Sequence, residues 1–481
     1  MSSHKNKIDQ ATLPFATIEE LGAALRASEI SDVELVRFFS ERLEKIGPQY
    51  NALACLLSKE PHRMAKDVDD DNKHERFRGP LHGIPCAVKD LLSVAHHPTT
   101  WGAKPYADQV FDYNATAVEK LNGARAPVIA KLSMIELAGA GGYTSASASL
   151  QGPGLNPWNK TYWSGGSSSG SGAAVAAGLI PFALGSETSG SILTPACYCG
   201  ITGLRPTYGL VSRYGAMPLS WTLDKIGVLA RTAGDCGLVL AEISGADDND
   251  PASAHRRFFY SKQYYRPFSQ MRIGFAAIDF NEWPDEPLRP AFQNALNVIK
   301  SFGAQMVETK LPDFPYSAVI GTIIDCEGVS VFEQLLRSGN VNRLADQGQI
   351  DGLKAAMGYS ALDYLKAMRV RRQIQSAFQT LLVESVDLLI APTRMSLPDR
   401  ADIPFPENEP KRPDQKGVYA GLVQASNLAG LPALTVPCGF VNGLPIGLQF
   451  VGPATSEPLL LAAGRDFQER TGFHKQHPVV E

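Results

Sequence analysis

The sequence lacks the cysteine and histidine spacings that hold metals or build a disulfide framework. Its seven cysteines are scattered and include no C-x-x-C pair, and its nine histidines include no H-E-x-x-H motif. Those spacings are typical of structural zinc, catalytic zinc and small disulfide-rich folds. We therefore predict no metal and no disulfide framework, and no motif indicates a bound cofactor.

An excess of charge of one sign and a long apolar run are also missing. The formal net charge is −4 over 481 residues, and the opening segment has no apolar h-region before its first helix-like pattern. Such a charge balance gives no general attraction to polyanions, and a bilayer span needs about 20 apolar residues. We therefore predict a cytoplasmic protein that binds no nucleic acid directly and no membrane.

What the sequence does contain is an alternation of helix and strand patterns. Capping-box signals at Thr17 with Glu20 and at Ser31 with Glu34 predict two N-terminal helices. The charge-dense stretch DVDDDNKHERFRG separates them from an apolar run that predicts a short strand ending at Lys89. Further helix and strand patterns follow, among them the strand patterns RIGFAAI and SVDLLIAPT, and together they indicate an α/β fold.

Two runs rich in serine and glycine mark the candidate functional region, YWSGGSSSGSGAAVAAG at 162–178 and GSETSGS at 185–191. Neither run contains the lysine of a phosphate-binding loop. The letters GSSSG match a nucleophile elbow around Ser168, but that elbow needs a buried strand before it, and NPWNKTYW is typical of a polar and aromatic loop. The runs lie at the two ends of one helix–strand unit, which argues against a flexible linker.

The two runs belong to a larger constellation that resembles the amidase signature family. It includes HGIPCAVKD around Lys89, KLSMIELA at Lys131, the stretch NPWNKTYWSGGSSSGSGAAVAAGLIPFALGSETSGSILTPA, the stretch GLRPTYGLVSRYGAMPLSWTLDKIGVLARTAGD, and NLAGLPALTVPCG with GLPIGLQFVGP near the end. These motifs cover most of the chain from about residue 80 onward. The resemblance implies an α/β amidase-signature fold, a central twisted mixed sheet flanked by helices on both faces.

The resemblance also implies which residues react. It places the nucleophile at Ser191, a bridging serine at Ser167 after a cis peptide bond, and the base at Lys89. The oxyanion hole is expected to consist of the backbone N–H groups of Thr188, Ser189, Gly190 and Ser191.

The residue types fit this chemistry. A serine hydroxyl needs a base to remove its proton, and a lysine serves as that base only when it is neutral. At the ordinary pKa of about 10.4, only about one lysine in 2,500 is neutral at pH 7. The site is therefore expected to lower the pKa of Lys89, by burial or by a positive field.

The nucleophile loop departs from the commonest family pattern, G-S-D-T-G-G-S-I-R-x-P, at three positions, where this chain has Glu187, Ser189 and Leu193. Leu193 is expected to remove a charge close behind the nucleophile. The arginines at 369, 371 and 372 fit a solvated helix face better than a site for a substrate carboxylate. A neutral or aryl substrate is therefore favoured.

These observations predict an amidohydrolase that cleaves the C(O)–N bond of a small amide or carbamate through a serine acyl-enzyme. The expected partner is this small-molecule substrate, and a homodimer is left open. One alternative is the A subunit of a glutamyl-tRNA(Gln)/aspartyl-tRNA(Asn) amidotransferase, a glutaminase. A second is a non-catalytic scaffold, against which the intact set of Lys89, Ser167 and Ser191 argues.

The division of the chain follows from the extent of the resemblance. Residues 1–75 are expected to form an N-terminal helical segment and residues 76–481 the amidase-signature catalytic domain. Within that domain, residues from about 310 to 415 are expected to form a variable, partly helical region that faces the substrate. Residues 404–413 are rich in proline and predict a loop.

Overall fold

A computed structural model describes residues 9–405 and 421–480 of the chain. The strands within these residues are β1 (Leu53–Leu56), β2 (Cys86–Lys89), β3 (Val128–Leu132), β4 (Leu155–Asn156), β5 (Asn159–Trp163), β6 (Phe182–Glu187), β7 (Thr202–Arg205), β8 (Lys225–Ala230), β9 (Arg272–Phe275), β10 (Gln305–Glu308), β11 (Leu388–Pro392), β12 (Ala433–Val441) and β13 (Leu444–Val451).

Eleven of these strands form one sheet, in the order β1-β3-β2-β6-β8-β7-β12-β13-β11-β9-β10, and β4 and β5 form a separate hairpin. Parallel pairing joins β2 to β3 and β6, and β9 to β10 and β11, whereas the other pairs are antiparallel. Every residue of β2, β6, β8 and β13 is buried, so both faces of the sheet are covered. The predicted mixed α/β fold is confirmed.

The α-helices of the described residues flank this sheet. They are α1 (Ile18–Arg26), α2 (Asp32–Ile46), α3 (Lys59–Lys73), α4 (Thr116–Gly123), α5 (Ser169–Ala176), α6 (Leu193–Cys199), α7 (Ala233–Ile243), α8 (Ile278–Asn281), α9 (Arg289–Ser301), α10 (Tyr316–Val331), α11 (Glu333–Arg337), α12 (Gln347–Ala356), α13 (Ala361–Thr380), α14 (Leu422–Ala429) and α15 (Glu457–Thr471). The predicted capping boxes begin α1 and α2, because the hydroxyls of Thr17 and Ser31 each accept a hydrogen bond from the backbone N–H three residues later. Within the described ranges, no helix combines the length and apolar content that crossing a bilayer requires.

Two segments differ from the sequence-based expectation. The charge-dense stretch begins inside α3, because Ala65 and Val68 give that helix a buried face. The stretch NPWNKTYW, predicted to be a loop, contributes most of the β4–β5 hairpin, which ends at the buried Trp163. The predicted proline-rich loop lies almost entirely outside the described residues.

The sheet brings the candidate residues to one edge. β2 and β6 are parallel neighbours in which Val88 pairs with Leu184. Their carboxyl ends therefore lie together, with Lys89 at the end of β2 and Glu187 at the end of β6. α6 follows β6 after a short loop, so residues 188–191 lie between a strand end and a helix start. Loops at such edges are a common place for binding and catalysis.

Candidate active site

Lys89 lies completely buried among serine hydroxyls. Its side chain is 0% exposed, and its Nζ donates hydrogen bonds to Ser167 Oγ at 2.8 Å and to Ser186 Oγ at 2.9 Å. Burial lowers the pKa of Lys89 to about 7, although the carboxylates of Asp224 and Glu187 act in the opposite direction. The neutral form of Lys89 is therefore accessible near neutral pH, and burial is the cause of the lowered pKa.

Ser167 lies at the cis peptide bond that the resemblance implied, between Gly166 and Ser167. Its carbonyl accepts a hydrogen bond from the Ile135 amide at 3.1 Å. Gly165 precedes this bond with a φ of +85°, and a Cβ at Gly165 would lie 2.7 Å from Pro195 Cα. Both the backbone conformation and the close approach therefore require glycine there.

Ser191 lies beside this bond but is more exposed. It is partly accessible, whereas Ser167 is buried. The Ser168 amide donates to the Ser191 carbonyl at 3.3 Å, which joins the two serine-rich runs. Ser168 itself, the serine of the elbow pattern, is buried, and its hydroxyl donates to the Ser186 carbonyl. The structure thus joins Lys89 to Ser167 by a side-chain hydrogen bond and places the backbone of Ser191 next to Ser168, and the catalytic roles of the three residues stay a prediction.

The loop before α6 contains four backbone N–H groups without a hydrogen-bond acceptor among the described residues. They are the amides of Thr188, Ser189, Gly190 and Ser191. Gly190 has a φ of +97°, and a Cβ there would meet Thr194 Oγ1 at 3.2 Å and Val423 Cγ1 at 3.3 Å. This arrangement is able to supply donors to an oxyanion.

The Glu187 carboxylate accepts hydrogen bonds from the two backbone amides that follow Ser191. Its Oε2 accepts hydrogen bonds from the amides of Ile192 at 2.8 Å and Leu193 at 3.0 Å. Its Oε1 accepts from Arg205 Nη1 at 2.8 Å and from Asn427 Nδ2 at 2.9 Å. Burial raises the pKa of Glu187, but Arg205 and these hydrogen bonds outweigh it and lower the pKa overall. Arg205 of β7 thus supplies the counter-charge of this buried carboxylate.

Arg205→Met is expected to lower the free energy of unfolding by about 3–5 kcal/mol, because it leaves the buried Glu187 carboxylate without its counter-charge. The double variant Glu187→Gln with Arg205→Met is the control and should lose less. Denaturant unfolding measures both. Equal losses in the single and the double variant would contradict the pairing argument.

Asp224 is a site residue that the sequence analysis missed. Its Oδ1 accepts a hydrogen bond from Thr188 Oγ1 at 2.6 Å, and its Oδ2 accepts from the amides of Leu219 and Ser220 at 2.9 and 2.8 Å. Burial raises the pKa of Asp224 to about 6. Asp224 therefore fixes the side chain that begins the oxyanion loop and also places a negative charge near Lys89. Only the order L-D-K in the family motif could have pointed to it.

An aromatic cavity of about 480 Å³ adjoins these residues and reaches Ser186 and Thr188. Its rings form a connected wall, with centroid separations of 6.4 Å for Trp101 and Phe111, 5.3 Å for Phe111 and Tyr113, and 5.6 Å for Tyr113 and Tyr214. Its remaining lining is Leu91, Gln109, Ala138, Arg213, Gly215, Ala216, Met217, Pro218, Leu219, Trp221, Asp224, Ile226, Asn249 and Asp250.

The cavity offers no free cation among its described residues. Arg213 is the only arginine or lysine among the lining residues that the structure describes. Its side chain donates to both carboxylate oxygens of Asp250, at 3.0 and 2.9 Å, and to the Trp221 carbonyl. Arg371, expected on a solvated helix face, is buried and donates to the carbonyls of Leu428 and Thr222. The cavity therefore suits a neutral aromatic group better than a carboxylate.

This fold and this site define an amidase. The Amidase family model matches residues 34–461, so the chain belongs to the amidase family. It is an amidase-signature amidohydrolase, an enzyme that acts on carbon–nitrogen bonds, and the predicted resemblance is confirmed.

Known relatives cover almost the whole chain. The chain is 35% identical to the glutamyl-tRNA(Gln) amidotransferase A subunit of Halorhodospira halophila and 34% identical to that of Thioalkalivibrio sulfidiphilus, each over 96% of this chain and 98% of the relative. Among solved structures, the native peptide amidase of Stenotrophomonas maltophilia superposes with a TM-score of 0.83 at 28% identity, covering 97% of this chain and 99% of that one. The amidotransferase A subunit from Thermotoga maritima gives 0.79 at 28% identity, covering 99% and 100%.

These relatives contradict one prediction. A small-molecule amide or carbamate was expected as the partner, with no direct binding of nucleic acid, but the curated relatives are named as subunits of a glutamyl-tRNA(Gln) amidotransferase. The expectation about nucleic acid rested on the formal net charge of −4. Net charge bears on direct attraction between one chain and a polyanion, and it carries no information about an assembly with other subunits.

Proposed function

We propose that the chain hydrolyses the C(O)–N bond of a neutral amide or carbamate that carries an aryl group. The observation that carries this proposal is the aromatic cavity, which reaches Ser186, a direct hydrogen-bond partner of Lys89. An aryl group gains from burial against aromatic walls, and no free cation among the described lining residues favours an anionic group.

In the proposed reaction, Ser191 Oγ attacks the carbonyl carbon while its proton passes to Ser167, whose own proton passes to neutral Lys89. The backbone N–H groups of residues 188–191 stabilise the oxyanion, and each such donor is typically worth about 3 kcal/mol. When the C–N bond breaks, the leaving nitrogen takes a proton from Ser167, which regains one from Lys89. Water then attacks the acyl-enzyme, or the carbonate-enzyme in the case of a carbamate, by the same proton route.

A second candidate is the glutaminase component of an amidotransferase, and the names of the curated relatives favour it. Glutamine carries an α-carboxylate and an α-ammonium group, which a binding site has to match with buried opposite charges. Arg213, the cation of the cavity, is already paired with Asp250. The two candidates therefore differ in the charge of the substrate that the site accepts.

Purified chain is to be tested for amine or ammonia release from anilides, aryl carbamates, primary amides and glutamine, with Ser191→Ala as the control. The proposal expects turnover of aryl substrates that is lost in the variant. Ammonia release from glutamine, alone or after addition of partner subunits, without turnover of any aryl substrate, would replace it by the second candidate.

The pH dependence follows from Lys89. With a pKa of about 7, neutral Lys89 increases as the pH rises, so kcat/KM is expected to rise about tenfold per pH unit below 7 and to level off above 8. Asp224→Asn removes a charge that raises the pKa of Lys89, so the inflection should move to lower pH. Initial rates from pH 5 to 9 measure both. An inflection that moves upward in the variant would contradict this role of Asp224.

A further inference from the structure

A second cavity, of about 280 Å³, lies between helices α10, α12 and α13. Most of its lining is apolar or aromatic. The lining residues are Trp221, Cys326, Glu327, Val329, Ala356, Met357, Tyr359, Ser360, Ala361 and Tyr364.

Trp221 belongs to the walls of both cavities and is 42% exposed. Its turn is fixed on both sides. Asp224 accepts the amide hydrogen bonds of that turn, and Glu327 of α10 accepts hydrogen bonds from the hydroxyls of Ser220 and Thr222. Hydrogen bonds therefore fix the turn that carries Trp221, and Trp221 lines both the aromatic cavity and the second cavity.

Two polar side chains that line the second cavity, Glu327 and Tyr364, are already hydrogen-bonded. The Glu327 carboxylate also accepts a hydrogen bond from the Tyr364 hydroxyl at 2.8 Å, so that both of its oxygens have donors. By contrast, the Met357 and Tyr359 side chains at the rim are 58% and 43% exposed and offer apolar surface. A thioether and aromatic rings favour contact with an aromatic or other apolar group.

We propose that the second cavity is a subsite for a distal aryl group of the same substrate. This inference rests on the proposed function and narrows it to elongated neutral amides or carbamates, with one ring in the aromatic cavity and another beyond Trp221. Because Trp221 belongs to the walls of both cavities, we assign the two cavities to one ligand rather than to two separate ligands. A substrate that passes over Trp221 would therefore contact the lining of both cavities.

The test compares two aryl carbamates with the same scissile group, one carrying a single ring and the other a second ring on a short linker. Tyr359→Ala and Met357→Ala change residues that line the second cavity alone, and both side chains are exposed enough for truncation to leave the fold intact. Each is expected to lower kcat/KM about tenfold for the two-ring substrate, through KM, and to leave the one-ring substrate unchanged. Phe111→Ala, in the aromatic cavity, should lower both.

The outcomes separate the two proposals. If the unaltered chain hydrolyses neither carbamate, the proposed function is wrong, and the subsite proposal that rests on it is wrong as well. If it hydrolyses both, but the second-cavity variants leave the two-ring substrate unchanged or lower both substrates equally, the subsite alone is wrong.

Discussion

Ser191→Ala is expected to lower kcat by about 10⁵-fold while KM changes little. The Oγ atom forms the covalent bond in the proposed reaction, and removal of a serine nucleophile from a hydrolase typically costs losses of this size. The oxyanion donors are backbone groups and persist in the variant, so substrate binding remains. Amine release from an aryl carbamate measures the loss, and the intact mass of the unaltered chain during turnover should rise by the mass of the bound acyl group.

Ser171→Ala is the matched control for this variant. Ser171 belongs to the same serine-rich run, is buried, and donates its hydroxyl to the Leu184 carbonyl at 3.2 Å. Its loss removes one hydroxyl without touching the proposed reacting groups, so kcat should stay within a few fold. Turnover by Ser191→Ala within tenfold of the unaltered chain would show that another residue is the nucleophile.

Lys89→Met is expected to lower kcat by about 10²- to 10⁴-fold, the range for loss of a general base, and at the same time to raise stability at pH 7. The pKa of Lys89 is about 7 in the folded chain and 10.5 is its ordinary value. Between these values the unfolded chain binds a proton that the folded chain lacks. The stability of the unaltered chain therefore rises with pH across this window.

The methionine variant lacks this dependence. Burial of Lys89 costs on the order of 4 kcal/mol at pH 7 and about 2 kcal/mol at pH 9, so the gain from Lys89→Met should be smaller at pH 9. Part of the gain is offset because Ser167 and Ser186 lose a hydrogen-bond donor. Denaturant unfolding at both pH values, together with kcat, measures the two effects.

Lys131→Met is the control for burial alone. Lys131 is also 0% exposed, but its Nζ lies 2.8 Å from Asp90 Oδ1. Its replacement leaves a buried carboxylate unpaired, so this variant should be destabilised. A loss of stability in Lys89→Met at pH 7 would show that the hydrogen bonds of Lys89 outweigh the cost of its burial.

The sequence predicted much of the fold because the signals involved are local. The capping boxes at Thr17 and Ser31 depend on residues three positions apart, and the strands at Lys89 and Glu187 are short apolar runs. The sequence did not predict helix α3, because few of its residues are apolar and most are charged. The hairpin at NPWNKTYW was not predicted for a similar reason, since β5 is polar and mostly exposed until Trp163.

By itself, the sequence determined the family and the candidate reacting residues, because the motifs around Lys89, Ser167 and Ser191 keep their order and type along the chain. Only the tertiary structure decided the surroundings of these residues. Complete burial lowers the pKa of Lys89, and Arg205 of β7 pairs with Glu187 from another strand. The aromatic cavity likewise gathers Trp101 and Tyr214 from segments more than a hundred residues apart. Burial, ion pairing and cavity shape arise from contacts between distant segments, and no local pattern in the sequence encodes them.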